Sequence, residues 1–197
     1  MPGHMPILKL STRSIAWRSH LKFVIAAVCL TIVPSGAGGQ SATADDLKAA
    51  FLFSFAKFVE WPPDAFPTAN APLTFGVVGD DFVGHSLDGL VHGKAINGRP
   101  LQVNRLKDGD DLTRIHMLFV RGSDESRAAD VMKRLSGSTV LTVSDLKGFC
   151  ELGGMIRLFV EDNHVRFEVN LDAAEQAHLT VSSRVLTLAK TVRGKSH

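Results

Sequence analysis

Glycines and acids cluster after an apolar run in the middle of the chain, in a pattern that could bind phosphate or a cation. They surround the start of a predicted helix: Gly76, Gly79, Asp80, Asp81 and Gly84. Backbone N–H groups at a helix start attract anions, but the spacing fits no phosphate-loop pattern and the two carboxylates would repel phosphate. A phosphoacceptor pocket would gather acids around a divalent cation, whereas a later strand ends at Arg121. We therefore expect a turn and a helix cap.

Histidines and one Ser-Asp pair are the other residues that could do chemistry. His85 and His92 lie seven apart on one predicted helical face, and a metal would need a third ligand from His116 or His164. The Ser-Asp pair at residues 144–145 could join a histidine in a hydrolytic triad, but no Gly-x-Ser-x-Gly turn accompanies it. Surface histidines and a turn explain these residues. We expect no catalytic residue, no metal and no cofactor, and hence no enzyme.

The first 44 residues have the order of a secretory signal. Basic residues come first without any acid, an uncharged run covers residues 23–33, and small residues fill 35–44. The apolar run is shorter than the roughly 20 residues that a membrane-spanning helix needs, so cleavage explains the segment better than a permanent anchor. We predict cleavage after Ala37 or Ala44, export to the periplasm, and one α/β domain over residues 45–197.

Charge and cysteine content limit the partners of the exported chain. Cleavage removes four Lys and Arg residues, which changes the formal net charge from +2 to −2. A mildly acidic domain without a basic stripe is a poor nucleic-acid binder. Cys150 is the only cysteine after residue 44, so an intramolecular disulfide is excluded. We expect its thiol to be buried; if exposed, it could bridge the subunits of a homodimer.

Helical and strand patterns alternate along the rest of the chain. Apolar residues recur at helical spacing over 45–60, and the helix should end at Trp61 because prolines follow it. Strands are predicted at 73–78, 100–106, 115–120, 139–143, 155–160 and 165–169, and helices at 82–91, 124–135, 171–177 and 182–192. This order predicts an α/β fold. Its mostly parallel sheet of about five to six strands has helices on both faces and a C-terminal antiparallel hairpin followed by helices.

Several segments in a fixed order resemble the YfiR-like family of periplasmic proteins. The longest is KAAFLFSFAKFVEWP at residues 48–62. The others are residues 93–101, 140–145, 153–156, 165–170 and 181–189. Together they extend over almost the whole mature chain, which makes the resemblance far more specific than any single motif.

The resemblance implies a periplasmic regulator rather than an enzyme. A repressor of this kind restrains an inner-membrane diguanylate cyclase, which makes cyclic-di-GMP, and an outer-membrane OmpA-like lipoprotein relieves the repression by sequestering the repressor. Other members resemble periplasmic parts of signalling systems, so the alternative is a small-molecule binding module that feeds a sensor kinase or an outer-membrane receptor. Redox control by paired cysteines does not transfer, because this mature chain carries Cys150 alone.

The first predicted helix is the candidate surface for binding a partner. Its aromatic residues and the one that follows it are Phe51, Phe53, Phe55, Phe58 and Trp61. Residues two apart on a helix point away from each other, so these rings cannot all face the core. Some of them must be covered by a second element, by a second subunit or by a partner.

Five other positions are assigned structural roles. Gly153 and Gly154 can adopt backbone angles that other residues avoid. Asn170 precedes a predicted helix, where its side-chain oxygen could cap the first turn. Ser182 and Ser183 begin the last predicted helix.

Overall fold

The computed structural model describes residues 43–79 and 81–194. Most of the predicted secretory signal, with its apolar run and the cleavage site after Ala37, lies outside the described residues. In the described part of the chain the helices are α1 Ala44–Phe58, α2 Asp81–Val91, α3 Glu125–Arg134, α4 Leu171–Gln176 and α5 Ser183–Leu188, with a 3₁₀ turn at Pro63–Ala65. The strands are β1 Val59–Glu60, β2 Leu73–Val78, β3 Ala95–Ile96, β4 Arg99–Leu106, β5 Met117–Val120, β6 Leu141–Ser144, β7 Ile156–Glu161, β8 His164–Asn170, β9 Thr180–Val181 and β10 Thr191–Arg193.

One mixed sheet organises the described residues, with its strands in the order β3-β4-β2-β5-β6-β7-β8-β10. The five strands from β4 to β7 run parallel. β7 and β8 form an antiparallel hairpin, and β1 and β9 form a separate two-stranded ribbon. The predicted class is confirmed: the fold is α/β, with a mostly parallel sheet and an antiparallel hairpin near its carboxyl end.

Apolar residues on both faces of the sheet explain why helices cover it on both sides. Along β2 and β5, alternate residues enter different core clusters because successive side chains of a strand point to opposite faces. Phe75 and Phe119 pack with α1, α2, α4 and α5 on the first face. Val78 and Leu118 pack with α3 on the second face. Helix α1 thus lies on the first face, where Leu52 and Phe55 are buried.

A capping box fixes the start of α1. The Thr43 hydroxyl oxygen accepts a hydrogen bond from the Asp46 N–H at 3.1 Å, and the Asp46 carboxylate accepts one from the Thr43 N–H at 2.9 Å. Two N–H groups that lack helical partners are satisfied in this way. The Ser86 hydroxyl of α2 also donates to Asp46, at 2.7 Å. These hydrogen bonds, with that from Ser86 the strongest cause, lower the pKa of the Asp46 carboxyl.

The structure corrects two of the predicted elements. The helix predicted from Ser182 to Val192 ends at Leu188, because the Lys190 N–H donates to the Phe167 carbonyl at 2.8 Å and the chain joins the edge of β8 as β10. Similarly, α1 ends at Phe58 and the next two residues pair with β9. With β10 at one edge and β3 at the other, the sheet has eight strands rather than five to six. Strands of two or three residues are too short to show a period in the sequence.

Candidate functional site

The carboxyl edge of the parallel strands is tied to the amino-terminal turn of α1. In open parallel sheets, ligands bind outside this edge at the point where the strand order reverses, which here lies between β2 and β5. Lys48 of α1 is only 8% exposed, and its Nζ lies 2.8 Å from Asp145, directly after β6. Asp45 lies 3.1 Å from Lys48 and 3.8 Å from Arg121, directly after β5. The chain's own ion pairs occupy the usual ligand edge of this fold.

The residues considered for catalysis have structural partners. The Ser144 hydroxyl is buried, donates to the Val120 carbonyl at 2.7 Å and accepts from the Leu146 N–H at 3.0 Å. Asp145 accepts a hydrogen bond from the Gly122 N–H besides its contact with Lys48. The Ser-Asp pair therefore joins adjacent strand ends. Within the described residues, no group of three or more His, Cys, Asp or Glu side chains could hold a metal ion.

Cys150 is buried, with 3% of its surface exposed. Burial, with the nearby Glu168 as a second cause, raises the pKa of its thiol to about 12. The thiol therefore stays protonated at neutral pH and is a poor nucleophile. The expectation of a small buried side chain is confirmed, and the alternative in which an exposed Cys150 bridges two subunits does not fit this geometry.

The aromatic residues of α1 divide between the core and the surface. Phe55 is 2% exposed, and its ring centroid lies 5.1 Å from that of Phe167 on β8. Phe51 is half-buried and contacts both rings, at 5.9 Å from Phe55 and 5.6 Å from Phe167. Phe53 and Phe58 are also half-buried. Phe55 thus belongs to the core and cannot touch a partner while α1 is packed.

Cations lie over two of the three rings that α1 leaves half-buried, those of Phe53 and Phe58. Lys57 Nζ lies 4.2 Å from the ring centroid of Phe53, and Lys94 Nζ, just before β3, lies 5.0 Å from it. The Arg184 guanidinium of α5 lies 5.9 Å from the ring of Phe58. Such cations are attracted by the ring faces. The outer side of α1 is therefore both aromatic and positively charged.

Trp61, one of the predicted partner-binding residues, begins a loop over residues 61–72, and the sequence indicated no function for the rest of this loop. Its indole N–H donates to the His116 carbonyl at 3.0 Å. The Phe66 ring stacks on the His116 imidazole with centroids 4.4 Å apart and planes 16° apart. On Phe66, the Arg99 guanidinium lies 3.6 Å from the ring centroid. Sequence reasoning considered His116 only as a metal ligand and missed Phe66, although an aromatic residue within a proline-rich loop was a usable signal.

Arg99 also fastens the far end of this loop. Its Nη1 donates to the carbonyls of Thr68 and Ala71, at 3.0 and 3.1 Å. Two grooves flank the loop. One of about 320 Å³ lies beside Trp61 and Phe66. The other, of about 720 Å³, has a polar floor of sheet residues: Thr74, Gln102 and Asn104.

The positions assigned structural roles lie around the β7–β8 hairpin and the last helices. Gly153 has φ +92°, and a Cβ on Gly154 would lie 2.2 Å from the Phe149 ring, so both positions require glycine. The Asn170 side chain accepts from the Ala173 N–H at 3.1 Å, which is the geometry of an N-cap on α4. The Ser182 hydroxyl similarly accepts from the Arg184 N–H at 3.3 Å, and Ser183 is the exposed first residue of α5.

Fold and site together define a doubly wound α/β protein. Ion pairs from its first helix occupy the edge of the sheet where ligands usually bind, and cations lie beside aromatic residues on the outer side of that helix. No helix in the described residues is long and apolar enough to cross a bilayer. The chain belongs to the YfiR/HmsC-like family, whose model matches residues 45–190. The resemblance seen in the sequence motifs is thereby confirmed. Proteins of this family are periplasmic and regulatory rather than catalytic.

Proposed function

We propose that the protein is exported through residues 1–44 and restrains an inner-membrane diguanylate cyclase by binding it from the periplasm. The family match over residues 45–190 is the observation that carries this proposal. The ion pairs between α1 and the carboxyl edge support it, because the edge where this strand order usually binds a substrate is occupied by Lys48 and Asp145.

The outer side of α1 is the proposed docking face. It has two parts, because residues two apart on a helix point away from each other. Phe53 lies beside Lys57 and Lys94, whereas Phe51 contacts Phe167 of β8 and Phe58 lies beside Arg184 of α5. Trp61 follows the end of the helix. Aromatic and arginine side chains carry much of the binding energy at protein interfaces. The mature chain is mildly acidic as a whole, but this face carries cations. These cations favour a partner surface with acidic groups.

Repression requires that the protein bind one state of the cyclase more tightly than another, since a ligand shifts an equilibrium only by its differential affinity. An outer-membrane OmpA-like lipoprotein that binds the free protein would then relieve the repression by lowering its available concentration. Both partners would compete for the same molecule without any covalent chemistry.

The test compares cyclic-di-GMP levels in cells that lack the gene and in cells complemented with charge-reversed variants. We expect the deletion to raise cyclic-di-GMP, and the double variant Lys57→Glu/Lys94→Glu to raise it while abundance and melting temperature stay near those of the wild type. Lys107→Glu/Lys133→Glu is the matched control, because both are exposed lysines outside the docking face, after β4 and on α3. Unchanged cyclic-di-GMP in the deletion would refute the proposal.

A second candidate is a periplasmic small-molecule binding module that feeds a sensor kinase or an outer-membrane receptor. The groove of about 720 Å³ favours it, because ligand pockets have volumes of about 300 to 1,000 Å³. If the deletion leaves cyclic-di-GMP unchanged, periplasmic metabolite fractions should be screened for one that raises the melting temperature of the wild type but not of Gln102→Ala.

A further inference from the structure

The loop over residues 61–72 has little regular structure of its own. It contains four prolines and one 3₁₀ turn at Pro63–Ala65. Its contacts with the sheet converge on His116 and Arg99. The position of the loop therefore depends on a small number of side chains.

Both nitrogens of the His116 ring are used. Nδ1 accepts a hydrogen bond from the backbone N–H of Thr74 at 3.2 Å, and Nε2 lies 3.2 Å from the carbonyl oxygen of Ala65. An N–H can only donate and a carbonyl can only accept, so the ring must be neutral with its proton on Nε2. In that form a single side chain joins the start of β2 to the loop.

We infer that the loop over residues 61–72 is an acid-sensitive latch, which His116 holds closed only while its Nδ1 carries no proton. A proton on Nδ1 would face the Thr74 N–H, so two donors would meet and neither would have an acceptor. The ring must then turn away. The contact with Ala65 and the stacking on Phe66 are lost with it, and the part of the loop around these two residues leaves the sheet, while Arg99 still holds Thr68 and Ala71.

The surroundings of His116 oppose its protonation while the latch is closed. The residue is 6% exposed, and Phe66 covers one face of its ring. Burial and, to a smaller extent, the positive charge of Arg99 lower the pKa of His116, although the hydrogen bond to Ala65 acts in the opposite direction. Arg114 and Asp64 are the other charged groups that line the groove beside His116. One is a cation and one an anion, so they do not supply a net charge to stabilise the imidazolium.

The sign of the pH effect follows from this shift. The closed latch binds fewer protons than the released loop, in which His116 has an ordinary pKa of about 6.5. The closed state is thus fully stable above about pH 6.5 and loses stability as the pH falls towards the lowered pKa. Between pH 7.5 and 5 this linkage can raise the opening equilibrium by at most about thirtyfold.

Amide hydrogen exchange on protein purified from the periplasm tests the latch. Protection factors, corrected for the intrinsic pH dependence of exchange, should fall several-fold between pH 7.5 and 5 for residues 64–66 and stay constant in β5. His116→Asn keeps an acceptor for the Thr74 N–H but cannot titrate, so its loop should show the same protection at both pH values. His92→Asn is the control at an exposed histidine and should behave like the wild type.

Nuclear magnetic resonance of the wild type gives a second readout that does not depend on a variant folding. The His116 ring signals and the loop amide signals should titrate with one midpoint, below the value of about 6.5 for an unperturbed imidazole. Equal loop protection at pH 7.5 and 5, or loop signals that change at a different midpoint from His116, would overturn the inference. The result does not depend on the cyclase proposal, since no partner is present.

Discussion

The two halves of α1 differ in what surrounds their charged and aromatic side chains. In the amino-terminal half, Lys48 is almost fully buried and pairs with Asp145 across the carboxyl edge of the sheet. In the carboxyl-terminal half, Lys57 is exposed and lies over the half-buried ring of Phe53. The first half holds the fold together at the place where related topologies bind ligands. The second half leaves an aromatic, positively charged surface, which is the proposed docking face.

Under the proposed function, this contrast lets one helix serve both packing and recognition. A charge removed from water contributes to the fold only if its partner is held in place, whereas an exposed charge contributes little to stability and remains free to meet another molecule. Variants of the two halves should therefore differ in which property they change. Four predictions test this, from the largest expected effect to the smallest.

The largest effect should come from the inward face of the helix. Phe55→Ala is expected to lower the free energy of unfolding by about 3 to 5 kcal/mol, because it opens a cavity beside Phe167. Phe53→Ala, on the outward face, should lower it by less than about 1.5 kcal/mol. Urea denaturation of both variants measures the difference, and similar losses would show that the two rings are equally structural.

Next comes the buried ion pair of the amino-terminal half. Lys48→Met keeps most of the side-chain volume but leaves Asp145 without its cation, so we expect a loss of about 3 kcal/mol. Lys57→Met is the matched control in the exposed half and should stay within about 0.5 kcal/mol of the wild type. If both variants melt alike, Lys48 does not hold α1 to the carboxyl edge.

A smaller loss of stability is expected where the loop over residues 61–72 lies beside the carboxyl-terminal half of α1. Arg99→Ala removes the cation over Phe66 and two hydrogen bonds to loop carbonyls, which should cost about 1 to 2 kcal/mol. Amide exchange should increase in residues 64–71 but not in the first turn of α1. Arg99→Lys should recover only part of the loss, because an ammonium group lacks the planar guanidinium. Full recovery would mean that charge alone fastens the loop.

The smallest change in stability should come from the docking face itself. Lys94→Ala removes one exposed cation over Phe53 and should cost about 0.5 kcal/mol in thermal or urea unfolding. Under the proposed function the same variant should nevertheless raise cyclic-di-GMP in cells, by less than the double charge reversal does. A loss of several kcal/mol would instead place Lys94 among the residues that hold the fold.

The main elements and the family could be predicted from local patterns. The helical spacing of residues 45–60, the apolar runs of β2 and β5, and the cap at Asn170 each depend on residues close together in the chain. Hydrophobic periodicity and the residue types at helix caps indicate such local features directly. The short strands β1, β3, β9 and β10 were missed because pairing with a distant strand, rather than their own composition, makes them strands.

The sequence by itself determined the α/β class, the membership of the family and the aromatic character of α1, and it predicted the export signal. Only the tertiary structure decided which polar groups meet. Lys48 and Asp145 are 97 positions apart, and Ala65 and His116 are 51 apart. Apolar periodicity specifies which side of an element is buried, but the partner of a polar side chain depends on strand order and register. For that reason His116, considered from sequence as a metal ligand, instead contacts Ala65 and Phe66 of a loop that Arg99 also holds.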